Sequence, residues 1–323
     1  MTRSTRIALT LVFTGLAIGY LVWKVDLGET VDTLLDANPW WFALSVAIMI
    51  GTALPMALRW QWLMRAQAME DTFAWLTRAY LVSYTASQVL PTSIGGDAMR
   101  VYETARRHPG RTGDITAIIL LERGLGGAGT VLLGGIGFLL ALGTYDVGAY
   151  LWLEGAFVLG TIVLLFLFFA RSARPLLAWT QPLLRRFRVD RPLRAFYDGV
   201  HHFRGHVPLL LGVFAFTTAI QAVRVLSIWA AGRSVGIELS PRIYYVMGPL
   251  FFLVLLVPFT LNGIAVREAF FVSFLGSVGV PADQAFAAGF VFFLVTTALA
   301  LPGAGILLWE GFRGGSRRQL EHG

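Results

Sequence analysis

Two segments of the sequence share a pattern of residue types that can bind an anion. The first runs Pro91-Thr-Ser-Ile-Gly95-Gly96-Asp97-Ala-Met-Arg100, and the second runs Pro258-Phe-Thr-Leu-Asn262-Gly263-Ile-Ala-Val-Arg267. Each contains Pro-x4-Gly-x3-Arg, in which the proline ends one helix and the glycine permits the turn into the next. The unpaired N–H groups that open the new helix, with the arginine one turn further on, predict a cradle for a phosphate group. The alternative is a structural turn whose arginine extends to the membrane interface.

An acidic and a basic residue adjoin each other inside an apolar run, in Ile118-Ile-Leu-Leu-Glu122-Arg123-Gly124. Ionisable residues at membrane depth cost roughly 2.5–3.5 kcal/mol each and usually face a protein interior. Because adjacent residues of a helix do not face each other, we expect different partners for the two. The candidates are Arg100 or Arg267 for Glu122, and a lipid headgroup, Asp97 or Glu268 for Arg123.

Arg224 interrupts another apolar run, with Gln221 and Ser227 on the same helical face. This spacing predicts a polar stripe turned away from lipid, and the alternative is an arginine that extends to the outer interface. Asp97 and Glu268 lie close in sequence to the arginines of the two repeated segments. We expect these acids to act as counter-ions, or alternatively as proton-coupling sites.

The composition indicates the environment of these residues. Of 323 residues, 56% are hydrophobic and 14% are charged, whereas a soluble domain has about 25% charged residues. Most of the surface is therefore expected to face lipid. The net charge of +7 comes from arginines in short loops between apolar runs, which favours membrane topology and anionic lipid surfaces over nucleic acid. The sequence has no cysteine, which excludes disulfides and thiolate sites.

Apolar runs of about 20 residues predict six membrane-spanning helices, and two interrupted apolar segments predict re-entrant helical hairpins. The predicted spans are 7–23, 39–58, 114–142, 150–170, 207–231 and 285–309. The hairpins cover 74–105 and 243–276 and carry the two anion-binding patterns. The sequence thus predicts one all-α membrane domain: a first half at about 1–170, a basic linker at 171–206, a second half at 207–310 and a short tail at 311–323.

Arginine-rich loops set the predicted orientation, because cytoplasmic loops carry an excess of positive charge. Both termini are predicted to be cytoplasmic, and Arg59, Arg65 and Arg78 mark the expected return after the second span. The hairpins then open to opposite faces, as in transporters built from inverted repeats. The linker is predicted to lie on the cytoplasmic membrane surface, either as a plain basic loop or as a site for anionic headgroups.

Motifs of common catalytic sites are missing from the sequence, which has no P-loop, no strand-bound GxGxxG, no HExxH and no GxSxG elbow. His201, His202 and His206 cluster in the basic linker, without the acids or cysteines that would complete a metal site. We therefore expect no cofactor, no metal and no ATP-driven transport by this chain alone.

Three blocks give the sequence a family resemblance. They are Tyr84-Thr-Ala-Ser-Gln88-Val-Leu-Pro91 continuing to Arg100, the Glu122-Arg123 pair, and Asn262-Gly263-Ile-Ala-Val-Arg267-Glu268. Over roughly residues 7–310 the chain resembles the lysylphosphatidylglycerol synthase transmembrane family, which includes the flippase half of bacterial multiple peptide resistance factor. The resemblance implies a multi-pass protein of the bacterial inner membrane that binds or translocates phospholipid or a related anionic lipid. Only about a dozen residues follow the last predicted span, so we expect a stand-alone member without the aminoacyltransferase domain.

The leading hypothesis is a flippase or binding protein, monomeric or homo-oligomeric, for an anionic phospholipid or polyprenyl-type lipid. The predicted headgroup-binding residues are Arg100, Arg267, Arg123, Arg224, Gly95, Gly96, Gly263 and Asn262. The residues predicted to balance charge or couple transport are Asp97, Glu122 and Glu268. The alternative is a membrane-embedded glycosyl- or lipid-transferase, or an accessory subunit of a lipid-modifying enzyme, although the polar stretch 171–206 is short for a donor site.

Overall fold

All regular structure that can be described in this chain is helical. The computed structural model describes residues 18–89, 95–141, 207–255 and 265–320, as well as 150, 152–153 and 155–159. These residues include helices that are long and apolar enough to cross a membrane. The chain is therefore an all-α membrane protein that crosses the bilayer several times, which confirms the predicted fold class.

The helices are numbered here in chain order. Those of the first half are α1 (Leu27–Leu35), α2 (Pro39–Gly51), α3 (Ala53–Ala66), α4 (Phe73–Val89), α5 (Gly95–Arg107) and α6 (Thr112–Ala141). Those of the second half are α7 (Val207–Ser234), α8 (Pro241–Leu255), α9 (Val266–Ser277), α10 (Ala282–Ala298) and α11 (Leu301–Leu320).

Four stretches of the described chain are long and apolar enough to cross a membrane, and they coincide with four of the six predicted spans. They are Pro39–Ala66, Thr112–Leu140, Val207–Ser234 and Ala282–Phe312. The other two predicted spans, 7–23 and 150–170, fall largely outside the described residues, as does the linker 171–206. The total of six spans stays a prediction.

The second predicted span is longer than the sequence indicated, and its helix is interrupted. It continues to Ala66 as α2 and α3, which join at Thr52. The interruption lies beside Pro55, which has no N–H to offer the carbonyl of Gly51. Arg59, which the sequence placed in a cytoplasmic loop, lies inside this span and is only 4% exposed. The use of Arg59 as a loop marker was therefore wrong.

The first predicted hairpin corresponds to α4 and α5, which pack against each other. Its two outer ends meet at Asp71, whose Oδ1 accepts a hydrogen bond from Arg107 Nε at 2.7 Å. The other oxygen of Asp71 lies 2.9 Å from His108 Nε2. At the inner end Gly96 permits close packing, because a Cβ there would overlap the backbone carbonyl of Ser83. The chain thus enters and leaves this hairpin at the same place.

The second predicted hairpin corresponds to α8 and α9. The segments that flank it are held together, because Gln284 at the start of α10 donates from Nε2 to the carbonyl oxygen of Val235, just after α7, at 2.8 Å. Its inner end opens α9 at Val266, after Ala265 in the left-handed region with φ of 65°, which residues other than glycine rarely adopt. The turns of both hairpins, with Pro91, Pro258, Asn262 and Gly263, lie outside the described residues.

The last span, Ala282–Phe312, contacts the two hairpins at its opposite ends. Its first turn carries Gln284, which bonds to Val235 beside the second hairpin. Its far end carries Glu310, whose carboxylate accepts hydrogen bonds at 2.6 Å from both Arg78 Nε and Arg78 Nη2 of the first hairpin. This order of contacts supports hairpins that open to opposite faces, and their re-entrant placement stays a prediction.

Near its middle the same span contacts the inner ends of both hairpins. The carbonyl oxygen of Thr296 accepts a hydrogen bond from Gln88 Nε2 of the first hairpin at 2.9 Å. One turn earlier, the ring of Phe293 lies 4.7 Å from the guanidinium carbon of Arg267 in the second hairpin. Both hairpins therefore approach one turn of one helix.

Two apolar cores support the helices around these contacts. One lies among α3, α4 and α6, with the ring of Trp60 fully buried beside Tyr80. The other lies among α7, α8, α9 and α10 and includes the fully buried rings of Phe271 and Phe274. Each core thus fixes the helices on which one repeated segment is carried.

Candidate functional site

A buried carboxylate, that of Glu122 on α6, lies at the centre of the first polar cluster. It is 3% exposed. Oε1 accepts from Arg59 Nε at 3.1 Å, and Oε2 accepts from Arg100 Nη2. The hydroxyl of Tyr80 donates to the same carboxylate at 3.0 and 3.1 Å. One acid therefore holds two guanidinium groups, and the cluster keeps one net positive charge.

The two arginines of this cluster are held by further contacts that keep them away from lipid. Arg59 also donates from Nη1 to the hydroxyl of Thr217 on α7 at 3.1 Å. The guanidinium carbon of Arg100 lies 4.3 Å from the ring centroid of Trp60 and 4.2 Å from that of Tyr80. Such cation–π contacts help to replace the water that a buried guanidinium loses. Arg100 is therefore an interior residue and does not extend to the interface.

The neighbour of Glu122 turns to a different acid. Arg123 Nε donates to Asp97 Oδ2 on α5, and Asp97 Oδ1 also lies 3.9 Å from Arg100 Nη1. Among the partners that the sequence left open, the structure places Arg100 with Glu122 and Asp97 with Arg123. Two adjacent residues of α6 therefore fix the first turns of α5, on which the glycine pair lies.

Gly95 and Gly96 begin α5 and are both buried. The open side of Gly96 is filled by α4, since an added Cβ would meet Ser83 and Ser87. At this position the close approach that glycine allows is therefore to another helix.

Arg224 on α7 contacts hydroxyl groups. Its Nε donates to Thr52 Oγ1 at 3.1 Å, and its Nη2 donates to the hydroxyl of Tyr84 at 2.6 Å. Within the described part of the chain, no carboxylate lies within 4 Å of this guanidinium. Among the described residues, its charge is solvated by neutral hydroxyl oxygens.

The other polar residues on this face of α7 also turn to neighbouring helices. Gln221 Nε2 donates to Thr130 Oγ1 at 3.3 Å. Ser227 is fully buried against Ser45, with their hydroxyl oxygens 3.0 Å apart. The stripe faces the protein, as its spacing indicated.

The second repeated segment forms a smaller charged pair. Arg267 Nε donates to Glu268 Oε1 at 2.9 Å, and both residues are buried in the first turn of α9. The other oxygen, Glu268 Oε2, is buried without a hydrogen-bond partner among the described residues. Arg100 and Arg267 share no side-chain partner there, so the two segments form separate clusters, of which the Arg267 pair contacts Phe293 of α10.

Sequence reasoning missed several residues of the first cluster and of the Arg224 site. These are Arg59, Trp60, Tyr80, Tyr84 and Thr52. One signal was available for Arg59, because an intramembrane acid requires a cation and Arg59 lies inside an apolar run. Another was available for the tyrosines, because Tyr80 and Tyr84 are four residues apart and share a helix face.

The sequence of the chain matches a known protein family. A family model described as the lysylphosphatidylglycerol synthase TM region matches residues 7–303. The chain belongs to the lysylphosphatidylglycerol synthase transmembrane family. Membership confirms the resemblance and connects the chain with membrane lipids. None of the curated proteins compared with the chain matches it.

The match spans both repeated segments and the polar clusters. The interior chemistry of the protein is that of guanidinium, carboxylate and hydroxyl groups. In the described ranges, no three histidine or acidic side chains are placed to hold a metal ion. In the described part of the first cluster three guanidinium groups contact two carboxylates, whereas Arg267 and Glu268 pair one to one.

Proposed function

We propose that this protein binds the headgroup of an anionic phospholipid, or of a related polyprenyl-type lipid, within the membrane and carries it across. The observation that carries the proposal is uncompensated positive charge inside the helical body. Arg59, Arg100 and Arg123 contact only two carboxylates in the described chain, those of Glu122 and Asp97. The partly buried Arg224 has hydroxyl partners alone among the described residues. Buried charge without a counter-ion is costly, and an anionic headgroup supplies the missing charge.

The order of contacts along the last span supports a transport cycle. Arg78 of the first hairpin contacts Glu310 at one end, and Val235 beside the second hairpin contacts Gln284 at the other. The inner ends of both hairpins approach the middle of this span, at Thr296 and Phe293. Hairpins that enter from opposite faces and meet at mid-membrane are the architecture of alternating-access transporters.

The roles of the site residues follow from their partners. Arg100 and Arg267, each beside an interrupted segment, are proposed to hold the phosphate at successive stages, while Arg123 and Arg224 line the path between them. In the conformation described, Glu122 and Glu268 occupy the first two arginines. A phosphate must therefore displace an acid from Arg100 or Arg267, whereas at Arg224 it meets hydroxyl groups.

The test is translocation by the purified chain in phosphatidylcholine liposomes that contain phosphatidylglycerol with a fluorescent headgroup label. Lipid that reaches the inner leaflet is protected from an impermeant quencher. Arg224→Gln is expected to lower the rate about tenfold to a hundredfold, the loss expected for charge-assisted hydrogen bonds. Arg100→Ala and Arg267→Ala are expected to abolish translocation.

The matched control is Arg233→Gln, on the same helix and with the same change of charge. Arg233 pairs at 3.7 Å with Glu238, whose side chain is 83% exposed, so its removal should leave the rate unchanged. An unmodified chain that translocates no anionic lipid contradicts the proposal. Turnover of a donor substrate would instead indicate a transferase, and activity that needs an added enzyme would indicate an accessory subunit.

A further inference from the structure

Two rows of polar side chains line α4 and α7 beside the charged clusters. On α4 the row is Tyr80, Tyr84 and Gln88, spaced four residues apart; on α7 it is Thr217, Gln221 and Arg224, spaced four and three apart. Both spacings place their residues on one face of a helix.

The two rows are joined at two levels. At the first level Arg59 contacts both, with Nη2 3.4 Å from the Tyr80 hydroxyl and Nη1 3.1 Å from Thr217 Oγ1. At the second level Arg224 donates directly to Tyr84 at 2.6 Å. Thr217 and Arg224 are seven positions apart in the sequence, which corresponds to about 10 Å along the helix axis. The rows therefore form a polar path that leads from the Glu122 cluster to Arg224.

We propose that Arg224 and Tyr84 together bind the phosphate of the lipid headgroup, and that the headgroup moves between the rows of α4 and α7. This inference rests on the proposed function and assigns its anion site. The guanidinium has five N–H donors, and two of its nitrogens are used on Tyr84 and Thr52. The Tyr84 hydroxyl accepts from Arg224, and a phenolic O–H also carries a proton that it can donate. Donors from two helices thus converge on one place.

A second, independent observation concerns Gln221, one turn from Arg224. Its carbonyl oxygen is buried and accepts no hydrogen bond from the described residues. Such an orphaned acceptor is costly, and a hydroxyl or ammonium donor would satisfy it once α4 and α7 separate. The site therefore fits a phosphodiester whose headgroup carries a hydrogen-bond donor, such as the glycerol of phosphatidylglycerol.

The first experiment measures binding without translocation. The chain in phosphatidylcholine nanodiscs is titrated with phosphatidylglycerol, and bound lipid is counted by native mass spectrometry. Tyr84→Phe keeps the ring and removes one donor, so binding should weaken about tenfold. Arg224→Lys keeps the charge but loses the planar fork, with a similar expected loss. The control is Tyr102→Phe, because Tyr102 is 58% exposed on α5. Removal of its hydroxyl should leave the binding of phosphatidylglycerol unchanged.

Competition separates a lipid headgroup from a free anion. Inorganic phosphate and glycerol 3-phosphate are added to the same titration, and neither should displace phosphatidylglycerol at equal concentration. Displacement by either would overturn the assignment to a lipid and would indicate a soluble phosphate ligand.

Failure of this inference differs from failure of the proposed function. If Tyr84→Phe and Arg224→Lys bind and translocate phosphatidylglycerol like the unmodified chain, the assignment to Arg224 and Tyr84 is overturned. Loss of translocation in Arg100→Ala would then still support the function. Gel filtration in detergent shows whether Arg224→Lys folds. If it does not fold, the result for Tyr84→Phe, which removes a single oxygen, decides whether the assignment to Arg224 and Tyr84 holds.

Discussion

The carboxylate of Glu122 balances part of the positive charge of the first cluster. It accepts hydrogen bonds from Arg59, Arg100 and Tyr80, which belong to three different helices. Removing one member of a buried ion pair is far more costly than removing both, because the remaining charge has neither water nor partner. This single side chain therefore holds α3, α4 and α5 against α6.

Glu122→Gln is expected to destabilise the fold by about 3–5 kcal/mol, because it leaves two guanidinium groups around a neutral amide. Thermal unfolding in detergent measures the change. Glu238→Gln, at an exposed position, serves as the control and should be neutral. The double variant Arg59→Gln/Glu122→Gln should cost less than the sum of its single variants. Strict additivity would show that the two side chains do not act as a pair.

Small residues decide how closely the helices of the first hairpin pack. At Gly96 an added Cβ would overlap the Ser83 carbonyl, and at Gly303 it would overlap the Leu81 carbonyl. One glycine lets α5 approach α4, and the other lets α11 approach the same helix. The position of Arg100, four residues after Gly96, depends on the first of these contacts.

Gly96→Ala is therefore expected to lower the free energy of unfolding by about 1–3 kcal/mol, because neither backbone can move away without shifting a helix. Gly126→Ala is the matched control, since Gly126 lies within α6 with open space where its Cβ would be. That variant should be neutral or slightly stabilising, because alanine favours a helix over glycine by up to about 1 kcal/mol. Thermal unfolding of both variants checks the pair, and equal melting temperatures would contradict the packing role of Gly96.

Sequence reasoning worked best for features that a single helix determines, such as the position of a membrane-spanning segment. The apolar runs around 39–58, 114–142, 207–231 and 285–309 predicted helices that the structure contains. It failed at Arg59, because positive charge beside an apolar run is also the signature of a cytoplasmic loop. It did not find Tyr84 and Thr52 as partners of Arg224, because they lie 140 and 172 residues away in sequence. Contacts between distant helices depend on packing that no local pattern encodes.

The last span is held at both of its ends by side-chain hydrogen bonds. One end of Ala282–Phe312 is tied to Val235 through Gln284, and the other end is tied to Arg78 through Glu310. With a rise of 1.5 Å per residue, a helix of 20 residues already crosses the hydrocarbon core. We therefore predict that the outer ends of the two hairpins lie on opposite faces of the membrane.

Single-cysteine labelling tests this arrangement directly, because the natural sequence contains no cysteine. Glu70→Cys reports the face where the first hairpin opens, and Glu238→Cys reports the face where the second opens; both positions are exposed. With a cytoplasmic N-terminus, an impermeant maleimide added to intact cells should label Glu238→Cys and not Glu70→Cys. Permeabilised cells, in which both should react, provide the control. Labelling of both positions in intact cells would place the two hairpins on one face, and a headgroup path from one leaflet to the other would then lack its second entrance.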